Sequence, residues 1–174
     1  GPSDFGTFET QATAEANGQI QAYMNGSVND GSDLTITAWG LSDASGNALA
    51  VAGGIITGAG SDADATASPT VKAYAGSGTI DVTGAIAITA QSEGNADADG
   101  LGVSAGGLSV GASLADAKMS PTVEAHIGNG TVTAGGAISV LALHNRHRDG
   151  STVDKLANAE ATAPSGALIG GNGA

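Results

Sequence analysis

Two stretches of this chain carry nearly the same sequence. SPTVKAYAGSGTIDVTGAIAITA (residues 68–90) and SPTVEAHIGNGTVTAGGAISVLA (residues 120–142) lie 52 residues apart and are identical at 12 of 23 positions. Glycine and small or aliphatic residues are kept, whereas charges change, as from Lys72 to Glu124. A repeat at a fixed spacing is typical of arrays in which each copy buries its apolar face against the next.

The repeat continues on both sides of these stretches. An earlier copy, AYMNGSVNDGSDLTITA (residues 22–38), is one residue shorter near Asn25. The other half of the unit also matches, because NALAVAGGIITGAGSDADATAS (residues 47–68) aligns with DGLGVSAGGLSVGASLADAKMS (residues 99–120). The aligned aliphatic columns include Leu34/Ile86/Ile138, Ile36/Ile88/Val140, Val28/Ile80/Val132 and Ile20/Val71/Val123. The chain therefore contains about two and a half repeats.

The period within each repeat predicts β-strands. LTITA, AIAITA and AISVLA alternate apolar residues with small or polar ones, as strands with one buried face do. TVKAYA and GTIDVTG alternate in the same way and include the β-branched residues that suit a pleated surface. Glycine corners such as NG at 25–26 and GSG at 76–78 separate these runs, because glycine turns the chain without a steric penalty. We therefore expect an all-β chain with strands of about four to seven residues.

Short strands, glycine corners and a fixed register favour a parallel β-helix or solenoid. Its coils would stack about 4.8 Å apart, with each strand paired to its equivalent in the next coil. A 52-residue unit would then make two coils of roughly 26 residues or three shorter ones. The alternative fold is a series of tandem antiparallel β-sandwich repeats, with hairpin bends at Gly106-Gly107 and near Ser120-Pro121.

Composition excludes several classes of protein. The chain has 29 glycines, 3% aromatic residues and no cysteine, so it suits thin layers of small side chains and rules out disulfides and thiolate chemistry. Its net charge of −12 disfavours nucleic acid and anionic membranes as partners. A run of about 18 apolar residues is absent, so membrane insertion is not expected.

Part of the repeat resembles a known family. The pieces GASLADA (residues 111–117), VEAHIGNGTVTAGG (residues 123–136) and AISVLA (residues 137–142) are similar to repeats of very large bacterial filamentous surface adhesins, the haemagglutinin-like and leukotoxin-like proteins. The likeness covers most of residues 12–142. It implies a secreted protein at the bacterial cell surface, a β-helix shaft that carries a binding tip or builds a biofilm matrix, and no catalytic residues.

The domain organisation follows from the repeats. Residues 3–142 form the array, with copies at about 12–67, at 68–119 and from 120–142 onward, whereas residues 143–174 are a divergent final repeat or a transition segment. Gly1-Pro2 resembles the remnant of a cleaved tag. The partners expected are neighbouring repeats of a parent chain, and uncapped coils would also allow homo-oligomers or end-to-end assembly.

Candidate metal ligands are carboxylates with i, i+2 spacing, which share one side of a strand. The motifs SDADA and NADADG supply oxygen ligands of the kind Ca²⁺ prefers, although known calcium-loop patterns are absent. Asp64 also aligns with Asp116 through the repeat. The calcium candidates are Asp62, Asp64, Asp97, Asp99 and Asp116.

Other functions have weaker support in the sequence. His144 and His147 form H-x-x-H, but a third strong zinc ligand is missing, which favours a solvated basic loop. Tyr23, Tyr74 and Trp39 are too dispersed for a sugar-stacking platform. A paired acid set or a Ser-His-Asp arrangement is also missing, so we do not expect an enzyme or a cofactor other than Ca²⁺. The leading hypothesis is a structural adhesin repeat, and the alternative is a calcium- or glycan-binding extracellular module.

Overall fold

The chain folds as a stack of β-coils. The structure, a computed structural model, describes residues 5–154 and 157–174; Gly1-Pro2, interpreted above as a remnant, lies outside these ranges. Across these ranges there is no helix long and apolar enough to cross a membrane. The strands of the described residues are β1 (Phe5–Ala16), β2 (Gln19–Met24), β3 (Val28–Gly31), β4 (Leu34–Ala67), β5 (Thr70–Ala75), β6 (Ile80–Val82), β7 (Ile86–Met119), β8 (Thr122–Ile127), β9 (Val132–Ala134), β10 (Ile138–His144), β11 (Ala157–Thr162) and β12 (Ser165–Gly173).

Strand pairing follows the sequence repeat. One sheet runs in the order β1-β4-β7-β10, with β11 and β12 also paired to β7; the others run β2-β5-β8 and β3-β6-β9. The paired strands are parallel, and β4 matches β7 from Leu34 opposite Ile86 to Ala67 opposite Met119. Ile138 pairs with the other side of Ile86, as the aligned columns predict. The predicted parallel β-helix is therefore confirmed, and the sandwich alternative is not observed.

Each repeat makes one coil. The expectation that a repeat divides into two or three shorter coils is wrong, because β4, β5, β6 and β7 pair with β7, β8, β9 and β10 at an offset of one whole repeat. The expected strand length is also wrong for β4 and β7, which run for 34 residues each. Each coil repeats the bends of its neighbour in register, so the hydrogen-bond ladder continues around bends that would otherwise end a strand.

One side of each coil, which we call the head, contains the aliphatic core. The head consists of β2, β3, β5, β6, β8, β9 and the first residues of β4, β7 and β10. Its fully or almost fully buried side chains come from all three sheets: Val71, Ile80, Val82, Ile86 and Ile88. Burial of such a side chain contributes about 1.5–3 kcal/mol, so these columns stabilise the stack of coils.

The rest of each coil extends away from the head as a thin arm, residues 41–67 in the first full coil and 93–119 in the second. An outgoing half leads to a tip at residues 53–56 and 105–108, and a return half leads back. The two halves enclose a layer of buried alanines, Ala44, Ala48, Ala63, Ala65, Ala67, Ala96 and Ala98. Small side chains allow the two halves to approach closely, which explains a core with so few bulky residues.

The register shifts at two places. β1 and β2 pair with the next coil one position short of a whole repeat, in agreement with the missing residue near Asn25. Beyond His144 the register changes in the other direction, since Ala157 pairs with Ala96 and the separation between them is longer than the repeat. After His144 the chain leaves the strand ladder, and residues 145–154 form a segment that we call the strap.

Candidate interaction surfaces

The five candidate aspartates lie on two different faces of the arm. Asp62, Asp64 and Asp116 point outward from the return half, whereas Asp97 and Asp99 point outward from the outgoing half, across the alanine layer. Asp64 stacks on Asp116, as the repeat predicts. Ca²⁺ takes six to eight oxygen ligands, and the described residues contain no group of three or more side chains placed to hold a metal.

Two of these carboxylates have local hydrogen-bond donors. Gln11 Nε2 donates to Asp62 Oδ2 at 3.4 Å, which links the first two layers of the return half. Asn95 Nδ2 donates to Asp97 Oδ2 on the opposite face. The carboxylate rows therefore form a solvated acidic surface with contacts between neighbouring residues, and the calcium site stays a prediction.

The strap crosses from the last coil to the first along the side of the stack. His147 Nδ1 lies 2.7 Å from Glu93 Oε1, and Gln91 Nε2 donates to the carbonyl oxygen of His147. Further down, the Arg148 guanidinium lies 5.4 Å from the centroid of the Trp39 ring. The strap therefore contacts residues of two preceding coils, and Arg148 covers the face of Trp39.

Internal hydrogen bonds shape the strap. Arg146 Nη1 donates to the carbonyl oxygen of Gly150 and lies 3.1 Å from Thr152 Oγ1. The hydroxyl and the backbone N–H of Ser151 donate to Asp149 Oδ1, and these bonds lower the pKa of Asp149. The strap is therefore a closed loop that presents its arginines at defined positions.

The two histidines of the H-x-x-H motif have different surroundings. Partial burial lowers the pKa of His144 below its usual value of 6.5, which favours a neutral ring at pH 7. His147 faces Glu93 instead. Within the described ranges no group of three or more metal-ligating side chains includes them.

An aromatic ladder runs along the outside of the head. Tyr23 stacks on Tyr74 with ring centroids 5.3 Å apart, and Tyr74 stacks on His126 at 4.9 Å with nearly parallel planes. The expectation that the tyrosines are dispersed is therefore wrong, because one residue per coil in the same column places the rings above one another. The spacing of Tyr23 and Tyr74, equal to that of Ile20 and Val71, was the signal in the sequence.

The ladder has a charged neighbour in the next outward column. Lys72 Nζ lies 2.8 Å from Glu124 Oε2, so the change of charge between the repeats forms an ion pair between coils. Both side chains are substantially exposed, and such pairs contribute at most about 1 kcal/mol. The rings stack on each other along the axis, so their faces are occupied within the ladder, which disfavours a sugar-stacking site there.

The tip of the arm exposes aliphatic side chains in successive coils. Ile55 is 66% exposed, and Leu168, in the corresponding bend of the last coil, is 95% exposed. Leu108 stacks on Ile56, and Ile169 stacks on Leu108, so one apolar column runs along the tips of successive coils. Clustered exposed aliphatic residues are typical of interaction surfaces.

No family model, curated protein or solved structure matches this chain. Its function is therefore inferred from the surfaces that the coils present to solvent. These surfaces are the two acidic faces of the arm, the aromatic ladder, the strap and the apolar tip.

Proposed function

We propose that this chain is a structural repeat module of a secreted bacterial adhesin or extracellular matrix filament, and not an enzyme. The observation that carries the proposal is the pairing of β4 with β7 in register over their full length, at the offset of the sequence repeat. Such a coil can be repeated indefinitely, because each copy offers the next the same hydrogen-bonding edge and the same apolar columns. The resemblance of residues 111–142 to adhesin repeats supports the same function.

The dimensions of the coil define what kind of shaft it makes. One coil adds about 4.8 Å along the axis, although it uses a whole repeat of the chain, so the module gives little length per residue. Its arm extends about 40 Å sideways from the head, at about 3.3 Å per residue. The filament is therefore a broad, thin blade whose long sides offer surface area for lateral contacts.

Charge distribution supports an extracellular surface role. The net charge of −12 is concentrated before residue 143, in a segment with 14 acidic residues and two basic ones. Repulsion between such blades keeps neighbouring filaments apart in solution and opposes binding to anionic membranes. The apolar tip and the strap are the parts of the blade that depart from this acidic surface.

A length series tests the shaft. Extra copies of residues 68–119 are inserted in register, and small-angle X-ray scattering measures the cross-section and the length of each protein. We expect a constant cross-section and an increase of about 4.8 Å in length per added copy. Growth in all three dimensions with copy number would contradict the shaft.

The adhesin assignment has a separate test in the parent reading frame. We expect it to encode an export signal and many further copies of the repeat unit. A reading frame with a single array of this length and an intracellular enzyme fused to it would contradict the assignment, even if the length series succeeds.

A further inference from the structure

A trough lies on the return half of the arm, next to the tip. Its floor is the backbone of Gly58 and Gly60, two outward positions of β4. Thr7–Glu9 of β1 form one rail and Val110–Ala112 of β7 form the other, because these residues pair with the floor from the coils on either side. The cavity measures about 430 Å³.

The fold itself does not require glycine at the floor. A Cβ built on Gly58 would lie 3.6 Å from Thr7 Cγ2, and one on Gly60 would lie 3.9 Å from Glu9 Cγ, which are ordinary contacts. The next coil carries Val110 and Ala112 in the same two columns. The consequence of glycine at these positions is therefore the trough, and neither backbone strain nor close packing accounts for it.

The lining of the trough is apolar with an acidic end. Val110 and Leu114, from the adjacent coil, contribute exposed apolar walls. Glu9 and Asp62, from two different coils, bring two carboxylates to the same cavity, and none of the described residues that line it is cationic. A ligand that fits must combine an aliphatic stem with a positive charge.

We propose that the trough binds a lysine side chain presented by a partner protein. The two glycines span about 7 Å along the strand, which matches the four-carbon stem of lysine. Its compact ammonium group has three donors and can interact with both carboxylates while the stem covers the apolar walls. A second copy of this chain is disfavoured as the partner because its own net charge is −12. The inference is independent of the adhesin assignment.

The test uses the whole chain, ¹⁵N-labelled, and the peptide acetyl-Ser-Val-Lys-Val-Ser-amide in an NMR titration. We expect saturable shifts of the amides of Gly58, Gly60 and Asp62, with affinity that falls as salt is added. The matched peptide with norleucine keeps the stem without the charge, and it should bind at least tenfold more weakly. An arginine peptide that binds more tightly than the lysine peptide would overturn the assignment to lysine.

Variants of the chain separate the trough from general surface charge. Gly58→Val fills the floor with the residue that the next coil already carries, and it should weaken lysine-peptide binding at least tenfold. The double variant Glu9→Gln/Asp62→Asn should weaken binding by a similar factor. Gly53→Ala is the control, because nothing lies within 4 Å of its added Cβ, and it should bind like the parent chain.

Three further results would overturn the proposal. The first is affinity unchanged by Gly58→Val, with native amide spectra. The second is a set of shifts located only at the other acidic face of the arm. The third is concentration-dependent self-association of the parent chain that Gly58→Val abolishes, which would identify a second copy as the occupant.

Discussion

Glycine has three different uses at the scale of single residues. At the corners predicted from NG and GSG, Gly26 and Gly78 have φ angles of 125° and 145°, which L side chains rarely adopt. In the arm, a Cβ on Gly46 would lie 2.5 Å from the carbonyl oxygen of Asp64 on the facing half. At Gly58 and Gly60 neither constraint applies. The turn motif in the sequence predicts the positive φ angles at the corners. The close packing at Gly46 depends on which segments face each other, which the motif does not show.

Gly46→Ala should destabilise the arm. The added methyl group would meet backbone across the layer, and overpacking of this kind costs about 1–3 kcal/mol. Chemical denaturation of the variant measures the free energy of unfolding. Gly53→Ala at the tip is the matched control, because its added Cβ meets nothing within 4 Å, and it should unfold like the parent chain. Equal stabilities for the two variants would contradict the close packing of the halves.

A buried hydroxyl pair links successive coils inside the arm. Ser61 Oγ and Ser113 Oγ lie 2.6 Å apart, one directly above the other in the repeat. Ser61→Ala leaves the hydroxyl of Ser113 without this partner and should cost about 1–3 kcal/mol, whereas replacement of both serines should cost less than the sum of the single changes. A double-mutant cycle of unfolding free energies measures the difference, and strict additivity would argue against the bond.

At the scale of elements, the strap is the part that departs from the repeat. β11 and β12 return to the ladder opposite β7, so the insertion changes the register without ending the sheet. The strap is anchored by polar contacts to the second coil and by Arg148 on Trp39 of the first. We infer that it fastens adjacent coils to one another on the side of the stack.

Arg148→Ala should loosen the strap from the first coil. A cation–π contact of this kind is worth about 0.5–1 kcal/mol at an exposed site, so the fold should persist with a small loss of stability. Trp39 is the single tryptophan of the chain, and its emission should shift to longer wavelength as the ring becomes more exposed. Lys118→Ala removes a cation elsewhere on the arm and should leave the emission unchanged. A parent-like spectrum for Arg148→Ala would contradict the contact.

At the scale of the whole molecule, the last coil presents core columns to solvent. Ile138 and Val140 continue the aliphatic columns of the head but are 52% and 39% exposed. Within the described residues, β10 pairs only with β7, so its other edge is open. Open parallel edges next to apolar columns are templates for another coil.

End-to-end association of this 174-residue chain should follow from that edge. In sedimentation velocity experiments at about 0.15 M salt, where charge repulsion is screened beyond about 8 Å, the average mass should rise with protein concentration. Val140→Lys places a charge in the core column and should reduce association. Ser139→Lys adds the same charge on the outward side of the same strand and should reduce it less. A monomer at every concentration would rule out association through this edge.

The sequence by itself determined the repeat, the all-β character and the identity of the head columns, and it favoured the parallel register over the antiparallel alternative. These features depend on periodicity, because residues one repeat apart occupy equivalent positions in every coil. The same offset of one repeat relates Lys72 to Glu124 and Tyr74 to His126, which pair in successive coils. The register alone could also have predicted the stacking of Tyr23 on Tyr74, since the missing residue near Asn25 was already visible.

Only the tertiary structure decided how many coils a repeat makes and which side chains share a surface. Whether one repeat makes a single coil or several depends on where the chain bends, and the frequent glycine residues permit many bends. The positions of these bends place the five aspartates on two faces. They also bring Arg148 to Trp39 and form the trough at Gly58. Contacts across the arm join residues that are not separated by a fixed spacing, so the repeat period of the sequence does not predict them.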